Sequence, residues 1–255
     1  MTCKSTASGS SETAATGAII IGPALSGKIL AGIWNGSSWS SVISIPIADP
    51  GADAASQNSF AVAYDEVSGN AMLIWDNGTT GTAGLSYAIW NGTSWSATAT
   101  ITAPVSGEPL HMQLAASPNS QEMILVVETA AASNNQYAIV WNGSSWGNAQ
   151  TLGSNSSKQY FELNVAYERQ SGQAMVIYDA SGSNSSSVQY RTWNGSTWSS
   201  EGTVAAPAGT TGTCTSVGKG CGANVNADGI WPSNRARATM ARAGRRRSSS
   251  MRGAR

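Results

Sequence analysis

One six-letter run recurs four times along this chain. Trp34-Asn35-Gly36-Ser37-Ser38-Trp39 is followed by near copies at Trp90–Trp95, Trp141–Trp146 and Trp193–Trp198. The first tryptophans stand 56, 51 and 52 residues apart, and the copies hold eight of the ten tryptophans. A fixed period near 50 residues specifies a repeat architecture, in which each supersecondary unit buries its apolar faces on its neighbours.

Three units superpose along their length. Phe60–Asp65 aligns with Met112–Ser117 and Leu163–Glu168, and Ala71–Asp76 aligns with Met123–Glu128 and Ala174–Asp179. Between these apolar runs sit Ser68-Gly69-Asn70, Asn119-Ser120-Gln121 and Ser171-Gly172-Gln173. Two short apolar runs split by such residues predict a β-hairpin. A third strand, such as Leu85–Trp90, leads into the tryptophan motif, and a weaker fourth, such as Ser96–Ile101, leaves it. Four short strands in 40–50 residues make one blade of a β-propeller. The runs are too short and too rich in Val, Ile, Thr and Tyr for helices.

Within the motif, Asn-Gly predicts a two-residue type I′ turn, because both central positions need positive φ. That register sets Trp90 opposite Thr93 and Ala88 opposite Trp95, with both indoles on one side of the hairpin. Eight rings that each remove about 150–250 Å² from water would dominate a core, so blade packing is their first expected role. A second reading turns one tryptophan per blade outward to stack on a sugar ring. The candidates for that role are Trp34, Trp90, Trp141 and Trp193.

At this motif the chain resembles the Asp-box propeller repeats of sialidases and related secreted proteins, and the W-[DN]-G-x-x-W repeats of bacterial surface propellers. In an Asp box a Gly precedes a Trp by three residues. Gly36/Trp39, Gly92/Trp95, Gly143/Trp146 and Gly195/Trp198 keep that spacing. The namesake Asp, two residues before the Gly, is replaced by Trp34, Trp90, Trp141 and Trp193. The resemblance covers residues 18–207 and implies the turn and the fold. It does not extend to sialidase chemistry, because the propeller body offers two arginines, Arg169 and Arg191, where a carboxylate clamp needs three.

The expected organisation is a disordered segment at 1–17, blades at 18–47 (partial), 58–103, 110–153 and 160–207, an irregular segment at 208–234, and an Arg-rich disordered tail at 235–255. The first unit has room for three strands, so the fold class is an all-β propeller of about four blades, read as a fragment of a larger ring. Charge divides the same way. Residues 1–234 carry six basic and fourteen acidic residues, whereas 235–255 carry eight arginines and no acid. The tail lacks interleaved aromatic residues and any binding motif, so nucleic acid is not expected as a partner. Its composition also suits out-of-frame translation, which the gene sequence would decide. No apolar run is long enough to span a membrane. The N-terminus lacks the basic start and apolar core of a signal peptide. The Ser/Thr/Asn/Gly-rich body nevertheless suits an extracellular or cell-surface protein.

Recognisable catalytic chemistry is sparse. His111 stands alone, and no nucleophile signature accompanies it. Cys214 and Cys221 could close a small disulfide loop in an exported protein, and with Cys3 they lie outside the repeats and outside metal-ligand spacing. The acids at blade-equivalent positions, Asp65 and Glu168, then Asp76, Glu128 and Asp179, suit turns better than a hydrolase pair. No catalytic residue, metal site or cofactor is expected. Seven N-x-[ST] sequons occur, four of them in the motif, where turn chemistry accounts for them. The expected function is a non-enzymatic extracellular scaffold or binding module. The alternative is a carbohydrate-binding propeller lectin, and a glycoside hydrolase or sialidase-like fragment ranks last. Glycans or other surface proteins are the expected partners, with self-association if the propeller is open.

Overall fold

A computed structural model describes residues 18–24, 28–35, 37–46, 60–77, 84–104, 107–131, 135–153, 163–178, 187–205, 224–226 and 229–231. The segments 1–17 and 232–255, the three cysteines and Asp179 lie outside them, as does Gly36. All the regular structure described is β. Blade 1 holds β1 (Ala18–Ala24), β2 (Lys28–Trp34) and β3 (Trp39–Pro46). Blade 2 holds β4 (Phe60–Tyr64), β5 (Ala71–Asp76), β6 (Gly84–Trp90) and β7 (Ala99–Thr102). Blade 3 holds β8 (Pro109–Ala116), β9 (Met123–Thr129), β10 (Gln136–Trp141) and β11 (Trp146–Gly153). Blade 4 holds β12 (Leu163–Tyr167), β13 (Ala174–Tyr178), β14 (Ser187–Trp193) and β15 (Gly202–Ala205). Each blade is an antiparallel meander in chain order. A short hairpin, β16 (Asn224–Asn226) and β17 (Gly229–Trp231), follows.

Side-chain alternation explains how the blades stack. In β5, Ala71, Leu73 and Trp75 pack towards blade 1, while Met72 and Ile74 pack towards blade 3. In β9, Met123, Leu125 and Val127 pack towards blade 2, while Ile124 and Val126 pack towards blade 4. A strand buried on both faces reads as a continuous apolar run, as these do. The innermost strands β4, β8 and β12 lie side by side, and β16 lies against β12. Their hairpin turns converge at the surface, where Asn119 donates to the Arg169 carbonyl at 3.3 Å and Arg169 pairs with Glu66 at 3.5 Å. Sheets stacked face to face with adjoining inner strands are the blades of a β-propeller.

The motif turn departs from the type I′ expectation by one residue. Trp34 faces Trp39, and Trp141 faces Trp146, directly across the ladder; Trp90–Trp95 and Trp193–Trp198 form isolated bridges of the same kind. Positive φ falls on Gly92, Gly143 and Gly195 (91°, 97° and 92°) and not on the asparagines before them. The turn is therefore centred on Gly-[ST], with the Gly in the left-handed region that it adopts freely. Asparagine serves through its side chain. Asn142 Oδ1 accepts the Ser144 and Ser145 amides at 3.0 and 2.9 Å and the Ser144 hydroxyl at 3.0 Å. Asn35, Asn91 and Asn194 repeat this pattern. Each motif letter now has a cause: Asn accepts, Gly bends, Ser or Thr donates, and the tryptophans close the loop.

Asn142→Ala removes one acceptor from three donors at a surface loop. We expect a loss of about 1–2 kcal/mol in denaturant unfolding, with Asn142→Asp retaining most of the stability because its carboxylate can still accept.

Candidate functional site

Each motif places a tilted indole pair at the blade edge, with ring centroids 5.1, 5.6, 5.6 and 5.2 Å apart in blades 1 to 4. The two rings have different surroundings. Trp90, Trp141 and Trp193 are buried and Trp34 is half-buried, whereas Trp39 is exposed and Trp95, Trp146 and Trp198 are half-buried. Of the sugar-stacking candidates, Trp90, Trp141 and Trp193 thus fill the gaps between blades, whereas Trp34 lies on the outer face of blade 1. Burial leaves no open ring face on Trp90, Trp141 or Trp193, and the more outward ring of each pair is the second. Sequence alone could not separate the two, because the choice depends on which strand lies nearer the preceding blade.

The indole nitrogens point inward. Trp95 Nε1 donates to the Ser41 carbonyl at 3.0 Å, and Trp198 Nε1 to the Asn148 carbonyl at 2.8 Å, each acceptor belonging to the preceding blade. Ser41 and Asn148 are, among the described residues, the non-glycine residues with positive φ, 49° and 48°. Each lies in a bulge two residues after its own blade's second tryptophan. In blades 2 and 4 a serine side chain takes over there: Ile89 N donates to Ser96 Oγ at 3.0 Å, and Thr192 N to Ser199 Oγ at 3.0 Å. Ser96 Oγ then donates to the Ala97 carbonyl, the position that would have served Trp146. Trp146 Nε1 is buried without a partner. Tyr87 occupies that interface instead, edge-on to Trp141 at 5.7 Å and to Trp146 at 6.1 Å. The blade 1–2 and 3–4 interfaces therefore share one design, and the 2–3 interface has another.

Above the indoles the interfaces also differ. Between blades 3 and 4, Glu122 Oε1 accepts Trp193 Nε1 and Tyr167 Oη, each at 2.9 Å. Burial, and then the Glu122 charge, push the Tyr167 pKa up. Between blades 2 and 3 the matching residues are Asn70, Trp141 and Ala116. A shallow cleft of ≈ 40 Å³ lies there, lined by Asp65, Asn70, Gln121, Met123 and Trp141 among others. That volume holds about one water and no sugar ring.

The turn acids Asp65 and Glu168 are occupied structurally. Asp65 accepts the Val67 and Ser68 amides at 2.9 and 3.2 Å, closing the β4–β5 turn. Glu168 does the same for Gln170 and Ser171, and the hydrogen bonds from Ser171 and Gln170 hold its carboxyl below its usual range. Asp76 and Glu128 are buried. Arg191 donates to the Ser199 carbonyl at 2.7 Å. His111 is buried opposite Glu128, and burial lowers its pKa to about 4. No group of three or more His, Cys, Asp or Glu able to hold a metal occurs among the described residues. No described helix is long and apolar enough to cross a membrane.

No protein-family model matches the chain, and no curated protein matches it. Among solved structures it is similar to the Aleuria aurantia lectin. A mutant of that lectin in complex with Fucalpha1-6GlcNAc is 12% identical, with a TM-score of 0.46 over 71% of this chain and 55% of the lectin. A complex with alpha-methyl-L-fucoside is 13% identical, with a TM-score of 0.47 over 73% and 56%. The structure described as a six-bladed β-propeller with a novel fucose recognition mode is 18% identical, with a TM-score of 0.44 over 75% and 56%. The chain spans just over half the length of these lectins. At such identities and TM-scores the likeness assigns no ligand and no residue role to this chain.

Proposed function

We propose that this chain is a non-enzymatic, carbohydrate-binding β-propeller that works outside the cell. One observation carries the reading. Trp95, Trp146 and Trp198 recur at equivalent blade edges with their indole nitrogens turned inward, so what each presents to solvent is ring hydrocarbon. Two residues before each ring, its turn carries a Ser or Thr hydroxyl that donates to the motif asparagine and keeps its lone pairs free to accept. An apolar ring flanked by hydroxyls suits a sugar, whose C–H face can lie on the indole while its hydroxyls reach the turn. Single contacts of this kind are weak, and repetition on several blades strengthens them through effective concentration.

Binding to immobilised glycans, and titration with simple glycosides including α-methyl-L-fucoside, test the proposal. Wild-type protein is expected to bind clustered glycans far better than monovalent sugar. Alanine at Trp95, Trp146 and Trp198 together should abolish binding while the β-sheet circular dichroism persists. Absence of glycan binding by the wild type, or undiminished binding by a folded triple variant, would overturn the lectin reading and return the chain to a protein-binding scaffold.

A further inference from the structure

Among the described residues the exposed large apolar side chains are Leu30, Trp39, Val42, Val67 and Val204. Val67 sits in the β4–β5 turn. The other four lie on the two end faces of the blade stack. Leu30, Gly32 and Trp34 alternate with Ile29, Ala31 and Ile33, which pack towards blade 2. A Cβ on Gly32 would lie 3.3 Å from Trp39 and 3.2 Å from Val42, so these groups share the outer face of blade 1. Val204 pairs with Val188, on the face of blade 4 turned away from blade 3.

These end faces copy the two sides of the internal 2–3 interface. Register places Met175 on Met72, Ile177 on Ile74, Val188 on Leu85, Tyr190 on Tyr87 and Val204 on Ile101. Ile101 is 4% exposed against blade 3, whereas Val204 is 52% exposed. On the other side, Leu30, Gly32 and Trp34 correspond to Tyr137, Ile139 and Trp141 of blade 3. Tyr137 is 0% exposed and Leu30 is 43% exposed. One end thus presents the Tyr side of a working interface and the other presents the Trp-pair side.

We propose that a second copy of this chain docks head to tail, the outer face of blade 4 in one copy seating on the outer face of blade 1 in the next. Tyr190 then meets Trp34 and Trp39 as Tyr87 meets Trp141 and Trp146. The β16 strand lies against β12, the innermost strand of blade 4. Among the described residues blade 1 has three strands where blades 2 to 4 have four. Such a contact is heterologous, using different patches on the two copies. Glycan binding plays no part in it.

Analytical ultracentrifugation of the full chain, alone and in mixtures, tests this. The wild-type mass should rise with concentration. Val204→Asp damages one end and Val42→Asp the other, so each variant alone should stay monomeric. Their mixture retains one sound pair of faces and should form a one-to-one heterodimer and nothing larger. A wild type that stays monomeric throughout, variants that associate as the wild type does, or a mixture that stays monomeric would each overturn the proposal. Both valines are more than half exposed, so unchanged thermal melts should accompany the variants. If either melts early, Val204→Lys and Val42→Lys repeat the experiment.

Discussion

Alanine at Trp193 is expected to cost about 3–5 kcal/mol of folding free energy, while alanine at Trp39 costs about 1 kcal/mol or less. Both residues belong to the same motif and make the same ring pair, at 5.2 and 5.1 Å. What differs is what lies behind each ring. Trp193 is 1% exposed and fills the space between blades 3 and 4 among Val126, Val140, Val165 and Val176. Its removal leaves a cavity that the two sheets cannot close without losing the register that joins them. It also takes one of two donors from Glu122. Trp39 is 46% exposed, so most of its truncation exchanges ring contact for water. Because a stack of blades can open locally, the loss is best read twice, as a shift in urea midpoint and as faster amide exchange in β12–β14. Equal costs at the two sites would mean that pairing of the rings, and not inter-blade packing, holds the motif.

Lowering the pH from 7 to 4.5 should remove about 2 kcal/mol through His111 alone. The imidazole has a pKa of about 4 in the folded chain, against 6.5 when unperturbed, because burial disfavours its charged form. A depressed folded pKa means that the unfolded chain binds the proton first. Stability is therefore complete above pH 6.5 and drains away as the pH falls towards 4. Glu168 enters only below its ordinary value of 4.5, so the upper part of this window belongs to His111. The chain has one histidine, so its ring proton resonances are unambiguous in a titration. They should stay flat through pH 6.5 and move near 4, and His111→Phe should flatten the stability profile over the same range. A midpoint at or above 6.5 would show that the facing Glu128 carboxylate outweighs burial.

The blades were legible in the sequence because the second strands of blades 2 and 3 are buried on both faces and read as unbroken apolar runs. Met123 to Val127 is the clearest case, and the 50-residue spacing of the motif then orders the sheets. The turn register was not legible. Asn-Gly carries the signature of a type I′ turn, yet in this context the Asn side chain finds three donors in the next three residues, and that local gain moves the turn by one position. The burial of the first tryptophans was equally hidden. Two indoles in one motif are identical as letters, and only the neighbouring blade makes one a core residue and the other an edge. Tyr87 behaves likewise: Ala31 and Ala138 hold its place in other blades, and nothing in its own strand shows that its ring faces a tryptophan pair.

The left-handed residues Ser41 and Asn148 have a consequence for how such a chain can change length. They make odd and even blades unlike, so two adjacent blades, and not one, form the smallest unit that can be copied without disturbing its neighbours. Insertion of a single blade would mismatch one interface, setting a bulge carbonyl against a tryptophan pair that receives a Tyr ring, or a Tyr ring against an indole that donates to a carbonyl. Growth or loss by two blades keeps every indole donor opposite its carbonyl. Lengthened or shortened descendants of this chain should therefore differ by about a hundred residues rather than about fifty.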